Sequence, residues 1–324
     1  MTRMKHMKRT KRAVWLACLL ILALCLSACA LGREEKLRVA VIVKATDSDF
    51  WHGVKSGVQA AATEYRVDVT FEGPENEEDY ETQNRMIEAA VSDRVDVIVL
   101  SAIDYEKSVP AVDAAVRAGV RVITIDSDVG SNLVSLFIGT DNFAAGEAAA
   151  AAALDGRTDV RIGLVNYMTD TENGRSREDG FRAYVATHGG QIVGTVTADC
   201  NTESATAAAL SLLSEHPDID VLVGFNEWMT LGVGEAIRKS GKAGVVRGVG
   251  FDTNVVSVGM MESGEMSALI VQNPFAIGYL GVRYAADTSA RDTTKKEVVH
   301  TATATVTKDN LFDEDIQKIL FRFG

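Results

Sequence analysis

From Leu37 to Asp252 the chain alternates short runs rich in β-branched and aliphatic residues with longer stretches whose apolar residues fall three and four apart. The runs are Leu37–Val43, Val67–Glu72, Val95–Ala102, Arg121–Ser127, Arg161–Tyr167, Gln191–Asp199, Val221–Asn226 and Val245–Asp252. Because polar and apolar residues do not alternate along them, they read as strands buried on both faces, as in a parallel sheet. Between them, Phe50–Tyr65, Glu78–Ser92, Ala111–Ala118, Asn142–Leu154, Gly174–Thr187 and Thr202–His216 carry the stripe of amphipathic helices. Strand and helix taking turns in this way predicts an α/β fold of the doubly wound kind, helices covering both faces of a parallel sheet.

Midway the alternation breaks. A strand over Leu133–Ile138 runs into Gly139-Thr140-Asp141-Asn142, which reads as a first crossover between two similar lobes. No Pro/Ser-rich tether separates the halves, so several short strands are expected to join them. Such a joint predicts a hinged cleft in which the carboxyl ends of the strands of both sheets face each other. The 324 residues are enough for two ordinary domains.

The amino terminus is a separate object. Arg3, Lys5, Lys8, Arg9, Lys11 and Arg12 precede an apolar stretch from Ala13 to Leu26, followed by Ser27, Ala28 and Cys29. A basic start, an apolar stretch too short to span a bilayer and small residues at its end read as a signal peptide over 1–28. Leu26-Ser27-Ala28-Cys29 resembles a bacterial lipobox, which implies lipid on the Cys29 thiol, cleavage before it and a short tether over 29–36. Two acyl chains there would hold the protein stably at a membrane surface.

Charge and cysteine content narrow the function. The whole chain carries 33 Lys+Arg against 45 Asp+Glu, and loss of the signal segment leaves 27 against 45, a net charge of −18. A body that acidic is a poor binder of nucleic acid, which requires a basic face. Cys18 and Cys25 leave with the signal and Cys29 takes lipid, so Cys200 stays alone, without a disulfide framework or a paired-cysteine metal site. His6, His52, His188, His216 and His300 are scattered without ligand spacing. No Gly-x-Ser-x-Gly elbow or Gly-x4-Gly-Lys loop is present, and no cofactor or catalytic reaction is expected.

In an open parallel sheet the ligand crevice lies beyond the carboxyl ends of the strands. Lys44 with Phe50 and Trp51 follows the first run, Asp126 and Ser127 end the fourth, and Arg175, Asn226, Asp252 and Gln272 lie at corresponding places in the second half. Carboxylates and amides exchange hydrogen bonds with vicinal hydroxyls, a guanidinium makes a two-pronged contact, and aromatic faces cover the C–H faces of a sugar ring. Taken singly, Asp126 and Asp252 also suit helix N-caps, and Phe50 and Trp51 also suit core packing.

At this point the chain, from about Leu37 to Thr307, resembles the type I periplasmic binding proteins of the ribose/galactose group, ligand receptors of sugar ABC transporters. The motifs occur in order: Asp49-Phe50-Trp51, Pro110-Ala111-Val112, Val122-Ile123-Thr124-Ile125-Asp126, Gly139-Thr140-Asp141-Asn142, the segment Gly174 to Phe181, Phe225-Asn226-Glu227, the segment Gly248 to Asp252, and Val271-Gln272-Asn273-Pro274. The resemblance implies an N-terminal lobe of 37–140 with 273–300, a C-terminal lobe of 141–272 with 301–324, and a three-strand hinge whose third crossing lies near His300–Thr303. It also implies a monomer that captures a monosaccharide or related polyol between closing lobes and delivers it to a membrane permease. The family's pocket positions fall on Phe50, Trp51, Asp126, Arg175, Asn226, Asp252 and Gln272.

Three departures bear on the ligand. Lys44 stands where the ribose binders have serine, Ser127 where they have arginine, and Cys200 where an aromatic would cover the sugar. Lys44 is expected to pair with Asp126 or Asp49 more than with an anionic ligand. Cys200 is expected to be a small apolar wall, with Trp228 available as a replacement for the missing aromatic. The lactose-repressor group shares the core fold, but a signal peptide stands where its DNA-reading segment would be. A sensor subunit for a histidine kinase or chemoreceptor would use the same cleft.

Overall fold

The computed structural model describes residues 36–167, 170–287 and 296–320. The signal segment and Cys29 lie outside them. From Leu37 onward the chain forms a single unit built on two six-stranded sheets.

The first sheet is formed by β1 (Arg38–Ile42), β2 (Asp68–Glu72), β3 (Val97–Leu100), β4 (Arg121–Ile125), β5 (Leu136–Gly139) and β11 (Glu297–His300), in the order β11-β5-β4-β3-β1-β2. The second is formed by β6 (Arg161–Asn166), β7 (Gln191–Thr197), β8 (Val221–Gly224), β9 (Arg247–Phe251), β10 (Met266–Val271) and β12 (Ala304–Thr307), in the order β12-β10-β9-β8-β6-β7. Every pairing is parallel except β10 with β12. The two orders are the same winding written twice, the doubly wound arrangement expected from the strand–helix alternation.

Helices connect the strands: α1 (Asp49–Tyr65), α2 (Tyr80–Ser92) and α3 (Val109–Arg117) in the first half, then α4 (Asn142–Leu154), α5 (Glu172–His188), α6 (Thr202–Glu215), α7 (Glu227–Lys239), α8 (Val255–Ser263), α9 (Pro274–Ala286) and the terminal α10 (Glu314–Leu320). Strand β1 shows how the layers are built. Val39 and Val41 face the core containing Trp51 and Val54 of α1 and Ile277 of α9, whereas Ala40 and Ile42 face the core of α2 and α3. A period of two sends alternate side chains to opposite faces, so a strand covered on both sides must be apolar throughout.

The chain crosses between the sheets three times, after β5, after β10 and between β11 and β12. Thr140 Oγ1 donates to Gln272 Oε1 at 2.7 Å, joining the first crossing to the second. Thr301 N–H donates to the Gly139 carbonyl at 2.8 Å, joining the third to the first.

The helices leaving the first two crossings are held by glycine contacts. A Cβ on Gly146 of α4 would lie 2.0 Å from the Arg177 carbonyl oxygen of α5, and one on Gly180 of α5 would lie 2.1 Å from the Phe143 oxygen of α4. Gly57 and Gly278 repeat this between α1 and α9. Only a residue without Cβ allows backbones so close, and the effect is to lock the helices that start at the hinge onto α1 and α5.

Candidate functional site

A small cavity lies between the carboxyl ends of the two sheets, the place where an open parallel sheet puts its ligand crevice. The first half contributes Lys44, Ser48, Phe50, Trp51, Glu77 and Asp126. The second contributes Tyr167, Asn173, Arg177, Asn226, Glu227, Trp228, Asp252 and Gln272.

Local structure aims these side chains. Ser48 caps α1, accepting the Trp51 N–H, and thereby sets Phe50 and Trp51 on its first turn, edge to face at 5.0 Å. Asn226 caps α7 through Oδ1, accepting the Met229 N–H at 2.9 Å, and its amide nitrogen lies 3.6 Å from Cys200 Sγ. Asp126 and Asp252 end β4 and β9 in the left-handed region, at φ 58° and 65°. Each donates its N–H to the adjacent strand, Asp126 to Ile138 and Asp252 to Ile270. Neither caps a helix. Asparagine and aspartate tolerate this backbone region best among residues with a side chain, and such conformations concentrate at functional sites.

The first-half wall is a charge cluster. Lys44 Nζ stands 3.4 Å from Asp126 Oδ2 and 3.6 Å from Glu77 Oε2, over the rings of Trp51 and Tyr167. Burial lowers its affinity for a proton, but the Asp126 and Glu77 carboxylates outweigh burial and hold the ammonium above the usual lysine range. Glu77 Oε1 accepts the Trp51 indole N–H at 2.9 Å. Ser101 Oγ donates to Asp126 Oδ2 at 2.9 Å. Lys44 thus pairs with Asp126, one of the two internal partners considered for it, and with Glu77 in place of Asp49.

The second-half wall centres on Arg177, which is 1% exposed. Its Nε donates to Asn142 Oδ1 at 2.9 Å and its Nη1 to the Phe225 carbonyl at 2.8 Å, with the guanidinium 4.6 Å over the Phe251 ring. Nη2 is buried and has no hydrogen-bond partner among the described residues. A buried donor left unpaired is destabilising unless something accepts from it. Asp252 accepts from Gln272 Nε2 at 2.7 Å. Burial pushes its carboxyl up to about 6, against the lowering effect of Arg177 and of that hydrogen bond.

The halves meet through polar contacts around the cavity. Asn173 Nδ2 donates to both Asp126 oxygens at 3.3 Å, the Phe50 N–H donates to Glu227 Oε2 at 3.2 Å, and the Cys200 N–H donates to Glu78 Oε1 at 2.6 Å. Glu227 therefore places a carboxylate at the amino end of α1, where the helix dipole favours negative charge.

Of the residues singled out from the sequence, Lys44, Phe50, Trp51, Asp126, Asn226, Asp252 and Gln272 border the cavity. Arg175 does not: it is exposed, its guanidinium 5.1 Å over the Tyr105 ring. The guanidinium at the cavity belongs to Arg177, two residues further along α5 and therefore on the opposite side of the helix. Helix phase could have distinguished them, since Asn173, Arg177 and the core residue Phe181 are spaced by four. Ser127 is buried and outside the cavity lining, its carbonyl accepting the Ala102 N–H. Cys200 stands behind Asn226, outside the cavity lining, and burial raises its thiol far above a reactive range. Glu77, Tyr167, Asn173 and Glu227 were not anticipated. Trp228 does border the cavity.

Among the described residues no three His, Cys, Asp or Glu side chains are grouped to hold a metal ion. No described helix is long and apolar enough to cross a membrane.

Comparison with known proteins agrees with this architecture. A D-ribose/D-allose-binding protein of Pseudomonas aeruginosa is 29% identical over 295 residues, spanning 87% of this chain and 92% of that protein. A ribose import binding protein of Bacillus subtilis is 28% identical over 258 residues, 79% and 83% of the two chains. The crystal structure of an ABC transporter solute binding protein from Agrobacterium vitis with bound D-fucose superposes with a TM-score of 0.83 at 32% identity, over 88% of this chain and all of that one. The periplasmic binding protein domain profile matches residues 39–291. With two parallel-sheet lobes, a three-crossing hinge and a polar cleft between them, the chain belongs to the periplasmic binding protein domain family.

Proposed function

We propose that this protein captures a sugar in the interlobe cavity and delivers it, outside the cytoplasm, to the permease of an ABC transporter. The observation that carries the reading is the Nη2 of Arg177, a buried donor with no partner among the described residues, in a cavity whose other walls are carboxylates, amides and two tryptophans. A hydroxylated ring satisfies such a set: hydroxyls donate to Asp126 and Asp252, accept from Arg177, Asn226 and Lys44, and present C–H faces to Phe50, Trp51 and Trp228. Arg177 takes the ligand-binding role that the sequence pattern suggested for Arg175.

Binding then works by bridging. Asp126, Trp51 and Lys44 sit on the first lobe and Arg177, Asn226 and Asp252 on the second, so a ligand touching both favours the closed arrangement over any open one. Relatives named for ribose and allose binding, and a structural neighbour with D-fucose, support a neutral monosaccharide. The import names of relatives favour delivery to a permease over a membrane sensor.

Lipid on Cys29 would hold the body at the membrane surface as a monomer on a short tether. Cys29→Ala is expected to leave the protein uncleaved or released from membranes. A mature-sized species that still fractionates with membranes would refute the anchor.

The function itself is tested on residues 30–324 by denaturing and refolding the protein to strip co-purified ligand. Melting is then followed with D-ribose, D-allose, D-fucose, D-arabinose and polyols. A ligand at 100 times its Kd adds about 2.7 kcal/mol of stability, read as a rise of several degrees. A folded protein whose melt none of these shifts would refute sugar capture.

A further inference from the structure

Glu77 lies in the loop between β2 and α2, buried at the cavity wall. Oε1 accepts the Trp51 indole N–H at 2.9 Å, and Oε2 is 3.6 Å from Lys44 Nζ. Lys44, 3% exposed, therefore meets a second carboxylate besides Asp126. Both ion-pair distances exceed the ~2.7–2.9 Å of a charge-assisted hydrogen bond. The ammonium is thus compensated in charge without being held by short bonds, and it borders the cavity.

We infer that Glu77 sets the charge preference of the cavity: it adds a second negative charge beside a Lys44 already paired with Asp126, so the site accepts neutral hydroxylated ligands and rejects sugar acids. This rests on the sugar-binding reading above. Around the cavity two cations, Lys44 and Arg177, face four carboxylates, those of Glu77, Asp126, Glu227 and Asp252. A ligand carboxylate enters that surplus of negative charge in a poorly screened space. Lys44 consequently serves as a hydrogen-bond donor to a hydroxyl oxygen and not as a counter-ion. The same glutamate fixes the Trp51 indole, so charge and wall shape depend on one side chain. Its neighbour Glu78 points to the other lobe, accepting the Cys200 N–H, which ties the position of this loop to closure.

The test uses residues 30–324, which contain the whole unit beginning at Leu37. Trp51 and Trp228 are the only tryptophans in that span and both line the cavity, so intrinsic fluorescence reports occupancy, with calorimetry as a second readout. The probes are D-ribose, D-allose and D-fucose against D-glucuronate and D-galacturonate. The unmodified protein is expected to bind a neutral sugar at least about tenfold more tightly than either hexuronate. Glu77→Gln keeps an oxygen for the Trp51 N–H but removes the charge, and it is expected to narrow that ratio about tenfold or more. Glu77→Asp, which keeps the charge, retains the preference.

A hexuronate preference in the unmodified protein, or an unchanged ratio in folded Glu77→Gln, overturns the inference while sugar capture stands. Absence of binding by either class in the unmodified protein overturns the sugar reading and this inference with it. The ratio in the unmodified protein needs no variant to fold.

Discussion

Replacing Arg177 by alanine removes three hydrogen bonds, two internal and one the proposed bond to the ligand, together with a buried charge. Two are internal hydrogen bonds, to Asn142 Oδ1 and to the Phe225 carbonyl. Leaving such buried acceptors unpaired costs about 1–3 kcal/mol each. Against this, the variant also removes a buried charge whose Nη2 has no partner among the described residues, and relief of that desolvation offsets part of the loss. The third is the contact from Nη2 to the ligand, a charge-assisted hydrogen bond of about 1.5–3 kcal/mol, equivalent to roughly 10- to 150-fold in Kd. The ligand-free variant should therefore lose less stability than the ligand-saturated one, a difference that paired melts with and without sugar read directly. Arg175→Ala is the control. Its guanidinium is exposed and lies over the Tyr105 ring, a contact of about 0.5–1 kcal/mol, so calorimetry should show at most about fivefold weaker binding. If Arg175→Ala weakens binding more than Arg177→Ala, with both proteins folded, the assignment of the guanidinium contact is wrong.

Two further outcomes test other parts of the structure. Gly146→Ala should lower stability by about 1–3 kcal/mol by forcing α4 off α5 and weaken sugar binding through the Arg177 backbone it displaces; Gly259→Ala, with open space around its Cβ on α8, should be neutral or stabilising by up to about 1 kcal/mol, and equal melting of the two variants would contradict the close packing. For Asp252 the folded pKa of about 6 lies above the ordinary carboxyl value because of burial. The ligand-free protein then binds this proton more tightly than the unfolded chain does, so the group's contribution to stability grows as pH falls from 6 toward 4 and is lost as pH rises through 6. A ligand hydroxyl donating to Asp252 requires the carboxylate, so Kd should rise about tenfold per pH unit below 6, and a Kd that stays flat between pH 5 and 7.5 would remove Asp252 from the contact.

Much of the fold was legible because its signals are local. A strand buried on both faces must be apolar at every position, and the run Leu37–Val43 announces β1 on that ground alone. The strand β11, Glu297–His300, could not be read in this way, because three of its four residues are exposed and it carries no continuous apolar run. Met266–Val271 and Pro274–Ala286 are apolar enough for either state; β10 and α9 differ through what packs on them and not through composition.

The site divides along the same line. Residues at the ends of strands, Asp126, Asn226, Asp252 and Gln272, are placed by topology once the parallel sheets are recognised, since a crevice must open beyond those ends. The sequence by itself also determined the acidic balance, the two-lobe repeat and the basic, apolar segment ahead of Cys29. Tertiary structure alone decided that Lys44 shares its charge between Asp126 and Glu77, and that Glu227 meets the amino end of α1 across the cleft. Glu77 is 33 residues from Lys44 and Glu227 is 177 from Phe50. Hydrophobic periodicity reports only the face a residue presents to its own sheet. The charge balance of a cleft is set by which faces of two separate sheets close on each other, and that is a property of the folded chain.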